Sequence, residues 1–342
     1  MAKRAKHLWD SLTSFENLLE AWRKVQRGKR RSTVVLKFRH IQEDRLFELQ
    51  ASLRAHTWKP SPCRRFHIQE VKPREIDAPT LADCVVHHAV MNVMEPWFER
   101  RFISDSYACR KGKGTHAASL RTTEFMRRAS REWGTPYVLK GDISRYFASI
   151  AHERLLAMLP KLVSDPDVLW LFRRIIQDNG YQGCGLPLGS VTSQWLANFY
   201  LDSLDHFVKD DMGLPYYVRY MDDFVLIGPN KAWCRTALEQ IDAFVRASLQ
   251  LSLNPKTGIW PISKGIDFVG YRHWTDHTLP RKRTVKRARK TFKTFPGLYA
   301  AGKIDLDYVT ARVVSFTGYM KHCAGRETLR HILARLVLTR GE

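Results

Sequence analysis

Two adjacent aspartates, Asp222 and Asp223, are the residues of this sequence best suited to chemistry. They lie between the apolar, β-rich runs 216–218 and 224–227, a pattern that predicts a strand, a tight turn and a second strand. Two negative charges side by side at a turn repel each other unless a cation compensates them, and Mg²⁺ favours such hard oxygen ligands. The alternative interpretation is a solvated hairpin turn, because aspartate also favours turns for local reasons.

Asp142 supplies a third carboxylate. The run 137–143 predicts a short strand whose end carries this acid. If that strand end adjoins the 220–223 hairpin in one sheet, three carboxylates converge and can hold two Mg²⁺ ions. Such a metal pair activates an attacking 3′-hydroxyl and neutralises charge on a departing pyrophosphate in an in-line phosphoryl transfer.

The charge balance points to a polyanionic partner. Lys and Arg number 56 against 34 Asp and Glu, which gives a net charge of +22. Nucleic acid is favoured over an acidic membrane surface, because the basic residues occur in separate blocks such as 23–39 and 281–290. No apolar run approaches the ~18 residues of a membrane span, and the N-terminus lacks the apolar core of a signal peptide. The six cysteines form no C-x-x-C pair, which predicts reduced thiols rather than a zinc site.

The elements needed to position these acids form a mixed α+β pattern. A strand pair is predicted over 65–76, and a single strand over 266–271, beside the strands already named. The chain is predicted to be basic and helical from Pro280 onward. The other predicted helices are 10–30, 44–56, 80–98 with its end near Pro96, 152–162, 166–178, 192–210 and 231–250.

Five segments, in order along the chain, resemble the conserved boxes of reverse transcriptases. The resemblance covers roughly residues 12–320. It implies a right-hand polymerase, with an antiparallel palm sheet that carries the catalytic aspartates and a helical thumb. The implied domains are fingers and an N-terminal basic helix region over 1–110, palm over 111–275 with an interleaved fingers segment at about 152–183, and thumb over 276–342. The five segments are Lys72-Pro73-Arg74, Tyr107–Ala117, Leu139–Phe147, Tyr220-Met221-Asp222-Asp223 and Gly265–Tyr271.

The resemblance also implies residue roles. Asp142, Asp222 and Asp223 are the implied catalytic residues and, with the main chain of Ile143, the ligands of two Mg²⁺ ions, for which Mn²⁺ is a possible substitute. Phe147 resembles the aromatic gate that excludes a 2′-hydroxyl, although a core phenylalanine is the alternative. The implied triphosphate contacts and general acid are Lys72, Arg74 and Lys256. The implied nucleic-acid contacts are Arg110, Lys111, Lys113, Gly270, Tyr271, Arg281, Lys282, Arg283, Lys286 and Arg287.

The segment 185–194 departs from the general reverse transcriptase pattern. Leu188 stands where the family usually has Gln, and Gln194 where it usually has Pro. This form resembles the enzymes of diversity-generating retroelements, as do the 15–24 run and the short length without a maturase or endonuclease domain. The implied activity is copying of a template-repeat RNA, from dNTPs, into cDNA mutagenised at adenines. The implied setting is a bacterial or phage-infected cytoplasm, with template RNA, a cDNA primer and a small basic helical accessory protein oligomer as partners.

Three alternatives remain open at this stage. A retron-type or antiphage reverse transcriptase shares the same boxes, and the 188 and 194 departures speak against it. A non-catalytic, maturase-like RNA-binding protein belongs to a different class, and the presence of all three aspartates disfavours it. An RNA-directed RNA polymerase is disfavoured by Phe147.

Overall fold

The structure, a computed structural model, describes residues 4–68 and 74–339. None of the helices within these ranges is long and apolar enough to cross a membrane. The strands are β1 Arg64–Ile68, β2 Arg74–Ala78, β3 Tyr137–Asp142, β4 Tyr217–Tyr220, β5 Asp223–Gly228, β6 Gly258–Pro261, β7 Ile266–Phe268, β8 Tyr271–His273 and β9 Thr278–Pro280. The α-helices are α1 Trp9–Leu12, α2 Phe15–Val25, α3 Thr33–His40, α4 Gln42–Arg54, α5 Leu81–Arg101, α6 Thr115–Trp133, α7 Tyr146–Ser149, α8 His152–Met158, α9 Pro166–Gln177, α10 Val191–Tyr200, α11 Asp202–His206, α12 Lys231–Leu249, α13 Lys282–Ala300, α14 Leu306–Met320 and α15 Arg326–Leu333.

These elements form two compact units, and every strand pairing is antiparallel. Unit 1 comprises the described parts of Met1–Ser104, Ile143–Gly213 and Ile241–Asn254. Unit 2 comprises those of Asp105–Asp142, Leu214–Gln240 and Pro255–Glu342. The predicted mixed α+β class is confirmed, whereas the division at 110 and 275 into fingers, palm and thumb stays a prediction.

Unit 2 is built on a four-stranded sheet in the order β4-β5-β3-β6. The apolar strand residues Val138, Val218 and Val225 are buried in one cluster with Phe125 and Met126 of α6. Helix α6 therefore covers one face of the sheet. The sequence analysis did not predict this helix, although its buried positions recur at helical spacing.

A second sheet of unit 2 corrects the predicted strand 266–271. The segment is a hairpin, in which β7 ends at Phe268 and pairs directly with Tyr271 of β8. Val269 and Gly270 form the turn with φ of 42° and 92°. Two positive φ values at a two-residue loop are characteristic of a tight hairpin turn whose twist matches the strands.

Unit 1 is mainly helical, and α5 is one of its central elements. Thr80 caps the helix by accepting a hydrogen bond from the Asp83 amide. The prediction that this helix ends near Pro96 is wrong, because the helix continues to Arg101. The proline costs about 3 kcal/mol in a helix interior. Continuation keeps the fully buried Phe98 in contact with the rings of Phe172 and Phe199, and burial of such a side chain contributes about 1.5–3 kcal/mol.

The predicted long helix 192–210 is also interrupted. It consists of α10, then α11, then a π-helical turn at Phe207–Asp211. Ser190 caps α10 by accepting from the Ser193 amide, which fixes where the preceding glycine-rich loop ends.

Candidate active site

Strand pairing brings the three predicted carboxylates together in unit 2. Asp142 ends β3 and Asp223 begins β5, and the two residues are direct partners in the antiparallel register. Such partners carry their side chains on the same face, with Cβ atoms about 5 Å apart. Asp222 immediately precedes Asp223 in the turn from β4 to β5. One end of the sheet therefore holds all three acids.

The turn that carries Asp222 is tight and strained. Tyr220 and Asp223 are strand partners, so the turn consists of Met221 and Asp222 alone. Met221 has φ of 55°, a region that a methionine seldom adopts. Such a conformation costs on the order of 1–3 kcal/mol and persists only where neighbouring contacts stabilise it.

Arg219 supplies such a contact and was missed by the sequence analysis. Its side chain is fully buried, and its Nη1 donates to the Met221 carbonyl at 2.9 Å. Its Nη2 donates to Ser106 Oγ at 3.2 Å. Burying a guanidinium costs free energy unless its N–H groups form hydrogen bonds. Because one of these hydrogen bonds goes to the Met221 carbonyl, Arg219 acts as a positioning residue for the strained turn. The signal available in the sequence was a charged residue between Val218 and Tyr220 in an otherwise apolar strand.

The electrostatics of the cluster favour a bound cation. Burial, together with the charges of Asp142 and Asp223 and a hydrogen bond with Asp142, raises the pKa of Asp222 to about 6. Lys140 is a protein cation beside the cluster, with its Nζ 3.6 Å from Asp223 Oδ1. The pKa of Asp222 remains raised although this lysine is present.

The donor set fits a divalent ion that is completed by substrate. Across residues 4–68 and 74–339, no group of three or more His, Cys, Asp or Glu side chains forms a ready-made metal cage. Mg²⁺ does not require one, because it is usually held by one or two carboxylates together with water and substrate phosphates. Hard carboxylate oxygens that crowd one another match that chemistry. Asp142, Asp222 and Asp223 are therefore the residues that would hold such an ion. Ile143, which follows Asp142, forms an isolated bridge with Leu253, and its role as a ligand stays a prediction.

The predicted nucleic-acid contacts Gly270 and Tyr271 lie in the β7–β8 hairpin of unit 2. Tyr271 is fully buried, and its hydroxyl contacts His116 Nδ1 and the Tyr319 carbonyl, each at 3.0 Å. The Gly270 carbonyl accepts from the Tyr319 hydroxyl at 2.6 Å. The predicted nucleic-acid contact of Gly270 and Tyr271 stays a prediction. Tyr271 ties the hairpin to α14.

The other predicted basic contacts of unit 2 differ in exposure. Arg110 is half-buried and donates to the Ser106 carbonyl at 2.7 Å, and the Lys113 ammonium lies 4.8 Å from the centre of the Tyr107 ring. Arg281 forms an ion pair with Asp267 at 2.7 Å. The remaining members of the set are exposed: Lys111, Lys256, Lys282, Arg283, Lys286 and Arg287.

The remaining predicted substrate-binding residues that the structure describes lie in unit 1. Lys72 lies outside the described residues, and Arg74 begins β2. Phe147 is half-buried in α7, Leu188 is half-buried in the loop before α10, and Gln194 is exposed in the first turn of α10. The Leu186 amide donates to the Phe147 carbonyl at 2.8 Å, so the Leu188 loop and the Phe147 segment are hydrogen-bonded neighbours.

Comparison with known proteins identifies a matching family and several relatives. The family profile described as "Reverse transcriptase (RNA-dependent DNA polymerase)" matches residues 69–273. Protein YkfC of Escherichia coli (strain K12) is 28% identical over 290 residues, covering 72% of this chain and 74% of YkfC. The group II intron-encoded protein LtrA of Lactococcus lactis subsp. cremoris is 25% identical over 327 residues, covering 74% of this chain and 53% of LtrA. The chain therefore spans only about half of LtrA.

A solved structure shares the fold. Apo telomerase from Candida tropicalis superposes with a TM-score of 0.52 at 13% identity, over 85% of this chain and 61% of the telomerase chain. At this identity the likeness concerns the fold alone, and it confirms the predicted right-hand polymerase architecture. The enzyme class is RNA-directed DNA polymerase, and domains of this class use divalent metal ions. The chain belongs to the reverse transcriptase (RNA-dependent DNA polymerase) family.

Proposed function

We propose that this chain copies an RNA template into cDNA from dNTPs by a two-metal mechanism with Mg²⁺. The observation that carries the proposal is the register that opposes Asp142 to Asp223, with Asp222 beside them in a turn braced by Arg219. When bound to these carboxylates, divalent ions lower the pKa of the attacking hydroxyl and neutralise charge on the leaving group.

The protein residues perform the positioning. Arg219 holds the Met221 carbonyl and thereby the direction of Asp222. Lys72 and Arg74 bind the triphosphate, since guanidinium and ammonium groups match phosphate oxygens. Phe147 excludes a 2′-hydroxyl from the sugar site, and Lys256 donates a proton to the departing pyrophosphate. The basic residues of α13 bind duplex phosphates, and Arg110, Lys111 and Lys113 contact nucleic acid elsewhere in unit 2.

We further propose the diversity-generating subtype, in which a template-repeat RNA is copied into adenine-mutagenised cDNA. Leu188 and Gln194 support it, because Leu188 can only pack where a Gln could hydrogen-bond near the nascent base pair. A bacterial or phage-infected cytoplasm and a small basic helical accessory oligomer belong to this proposal. An adjacent variable repeat in the genome would distinguish it from a retron-type or antiphage enzyme.

A second candidate is a maturase-like RNA-binding role. The similarity to LtrA, an intron-encoded protein, favours it. This role requires no nucleotide incorporation, so the same assay separates the two candidates.

Primer extension tests the proposal. The assay uses an RNA template, a DNA primer, dNTPs and Mg²⁺, with wild type, Asp222→Asn and the control Asp276→Asn. Asp276 is also in unit 2, but its side chain is 77% exposed. We expect Asp222→Asn to lose at least about 1,000-fold in rate, because metal stabilisation supplies several kcal/mol, and Asp276→Asn to match wild type.

A metal-binding measurement accompanies the assay. Mg²⁺ or Mn²⁺ should raise the melting temperature of wild type and of Asp276→Asn, but not that of Asp222→Asn. Absence of Mg²⁺-dependent extension by wild type, with template RNA and accessory protein present, would remove the polymerase assignment. Extension by Asp222→Asn at the wild-type rate would remove the assignment of the metal site.

A further inference from the structure

The loop that carries Leu188 is held on two sides by main-chain hydrogen bonds within unit 1. On one side, the Gly185 amide donates to the Ile150 carbonyl at 2.9 Å and the Leu186 amide to the Phe147 carbonyl at 2.8 Å. On the other side, the Asp77 amide of β2 donates to the Leu188 carbonyl at 3.0 Å. The loop therefore joins the Phe147 segment to the β1–β2 hairpin.

The approach between the loop and β2 is close enough to require glycine. A Cβ atom on Gly189 would lie 2.8 Å from the Asp77 carbonyl oxygen, and the φ of this glycine is +141°. Any side chain at 189 would push the loop away from Asp77 and break the bond to Leu188. Glycine at position 189 is consequently what allows the loop to approach β2 this closely.

Tyr181 completes this arrangement from the start of the loop. Its ring packs on Gly185, where an added Cβ would lie 2.9 Å from Tyr181 Cδ1. Its hydroxyl donates to Asp77 Oδ2, while Arg65 Nε donates to Asp77 Oδ1 at 2.8 Å. The Asp77 carboxylate is only 4% exposed, so these two donors satisfy an almost fully buried charge.

The protonation states agree with these roles. Burial raises the pKa of Tyr181 to about 12, so its hydroxyl remains a donor near neutral pH. Burial pushes the pKa of Asp77 upward, but the bonds from Arg65 and Tyr181 outweigh it and hold the pKa below its ordinary value. The Tyr181–Asp77–Arg65 set therefore combines an ion pair between Asp77 and Arg65 with a hydrogen bond from the neutral Tyr181 hydroxyl.

We propose that Tyr181, acting through Asp77, is a positioning residue that sets nucleotide discrimination by fixing the Leu188 loop relative to Phe147; this inference rests on the proposed polymerase function. A leucine carries no polar group with which to position itself. Its placement depends on the main chain of its loop, and that main chain is anchored to Asp77 on one side and to Phe147 on the other. A small displacement at a reacting site is enough to change discrimination.

Tyr181→Phe tests the inference, because it keeps the ring on Gly185 and removes only the bond to Asp77. The matched control is Tyr216→Phe, which removes a tyrosine hydroxyl bonded to Glu132 at 2.6 Å on the surface of unit 2. Single-nucleotide incorporation on an RNA template gives kcat and KM for correct and incorrect dNTPs. For Tyr181→Phe we expect KM for the correct dNTP to rise roughly fivefold, while kcat stays within about twofold of wild type. Discrimination between correct and incorrect dNTPs should fall by the same factor.

Hydrogen exchange provides a readout that does not depend on activity. The Asp77 amide, which bonds to Leu188, should exchange faster in Tyr181→Phe than in wild type or Tyr216→Phe. Unchanged exchange and unchanged discrimination in an active enzyme would overturn the inference alone. Equal loss of discrimination in Tyr216→Phe, or a fall in melting temperature without a change in KM, would reduce Tyr181 to a structural role. A wild type that never incorporates dNTPs would overturn the proposed function, and this inference with it.

Discussion

At the residue scale, the candidate site depends on side chains whose roles follow from what surrounds them. Asp222 is acidic in a crowded, partly buried cluster, and Arg219 is a buried cation whose Nη1 donates to the Met221 carbonyl of the turn. Leu188 is the reverse case, since it is apolar and depends on its loop for position. Unlike a Gln at this position, the Leu188 side chain cannot form a hydrogen bond.

Replacement of Leu188 by Gln tests that statement. Leu188→Gln restores a group able to hydrogen-bond near the nascent base pair, worth ~1 kcal/mol net. We expect misincorporation opposite template adenine to fall several-fold. Primer extension on an adenine-containing RNA template, followed by sequencing of the products, measures it.

Leu120→Gln is the control, because Leu120 is 65% exposed on α6. Equal fidelity of wild type and Leu188→Gln would argue against a discriminating role for Leu188.

At the element scale, the pairing of β3 with β5 that positions Asp142 depends on the glycine before it, Gly141. Gly141 is the strand partner of Phe224, and a Cβ on Gly141 would lie 2.1 Å from Phe224 Cζ. The phenyl ring therefore occupies the space that a side chain at 141 would need. The β3–β5 pairing that opposes Asp142 to Asp223 requires this close approach.

Gly141→Ala should therefore damage both stability and activity. Overpacking of this kind costs about 1–3 kcal/mol, which urea unfolding measures. The double variant Gly141→Ala/Phe224→Leu should recover part of the lost stability and Mg²⁺-dependent extension, because the smaller side chain vacates the ring position. Simple additivity of the two single losses would contradict the steric explanation.

At the scale of the whole molecule, the main feature is the large positive net charge. The net charge of +22 concentrates partly on α13, where Lys282, Arg283, Lys286 and Arg287 are exposed. Exposed basic side chains without a compensating acid are suited to release counterions from a nucleic-acid backbone. The stability of unit 1, by contrast, depends in part on His206, which contacts several hydrogen-bond acceptors.

The salt dependence of duplex binding tests the role of α13. Replacement of Lys282, Arg283, Lys286 and Arg287 by Gln should make the slope of log K against log salt less steep by roughly 3. A matched variant with Arg54, Lys59, Lys161 and Arg173 replaced by Gln has the same net charge, 22 − 4 = +18, and should keep the wild-type slope. Equal changes in both variants would assign the effect to overall charge rather than to α13.

His206 predicts a pH dependence of stability. Its Nδ1 lies 2.5 Å from Asp210 Oδ2, and its Nε2 lies 3.0 Å from the Arg101 carbonyl and 3.5 Å from the buried Asp202. The hydrogen bonds with Asp202 and Asp210 outweigh burial and raise the pKa of His206 to about 10. Because the folded pKa lies above the unfolded value near 6.5, the stabilisation is fully present below about pH 6.5 and is lost as pH rises towards 10.

His206→Gln should remove that dependence. The difference in unfolding free energy between wild type and variant should be largest at or below pH 6.5 and should shrink as pH rises to 10. Urea unfolding across this range measures the difference. A difference that is constant with pH would contradict an imidazolium at this position.

The sequence by itself determined the acidic hairpin, Asp142 at a strand end, the mixed α+β class and the reverse transcriptase family, because these depend on local alternation and on short motifs. It also determined the basic character of the last helices. The predicted end of α5 near Pro96 was wrong. The helix continues because Phe98 makes buried contacts with residues that are distant in the sequence. Four features became visible only in the tertiary structure. They are the pairing of Asp142 with Asp223, the burial of Tyr271, the bond from Arg219 to the turn, and the bond between Asp77 and the Leu188 loop. Each of these depends on a contact between segments far apart in the chain, whose pairing is decided by packing and register rather than by neighbouring residues.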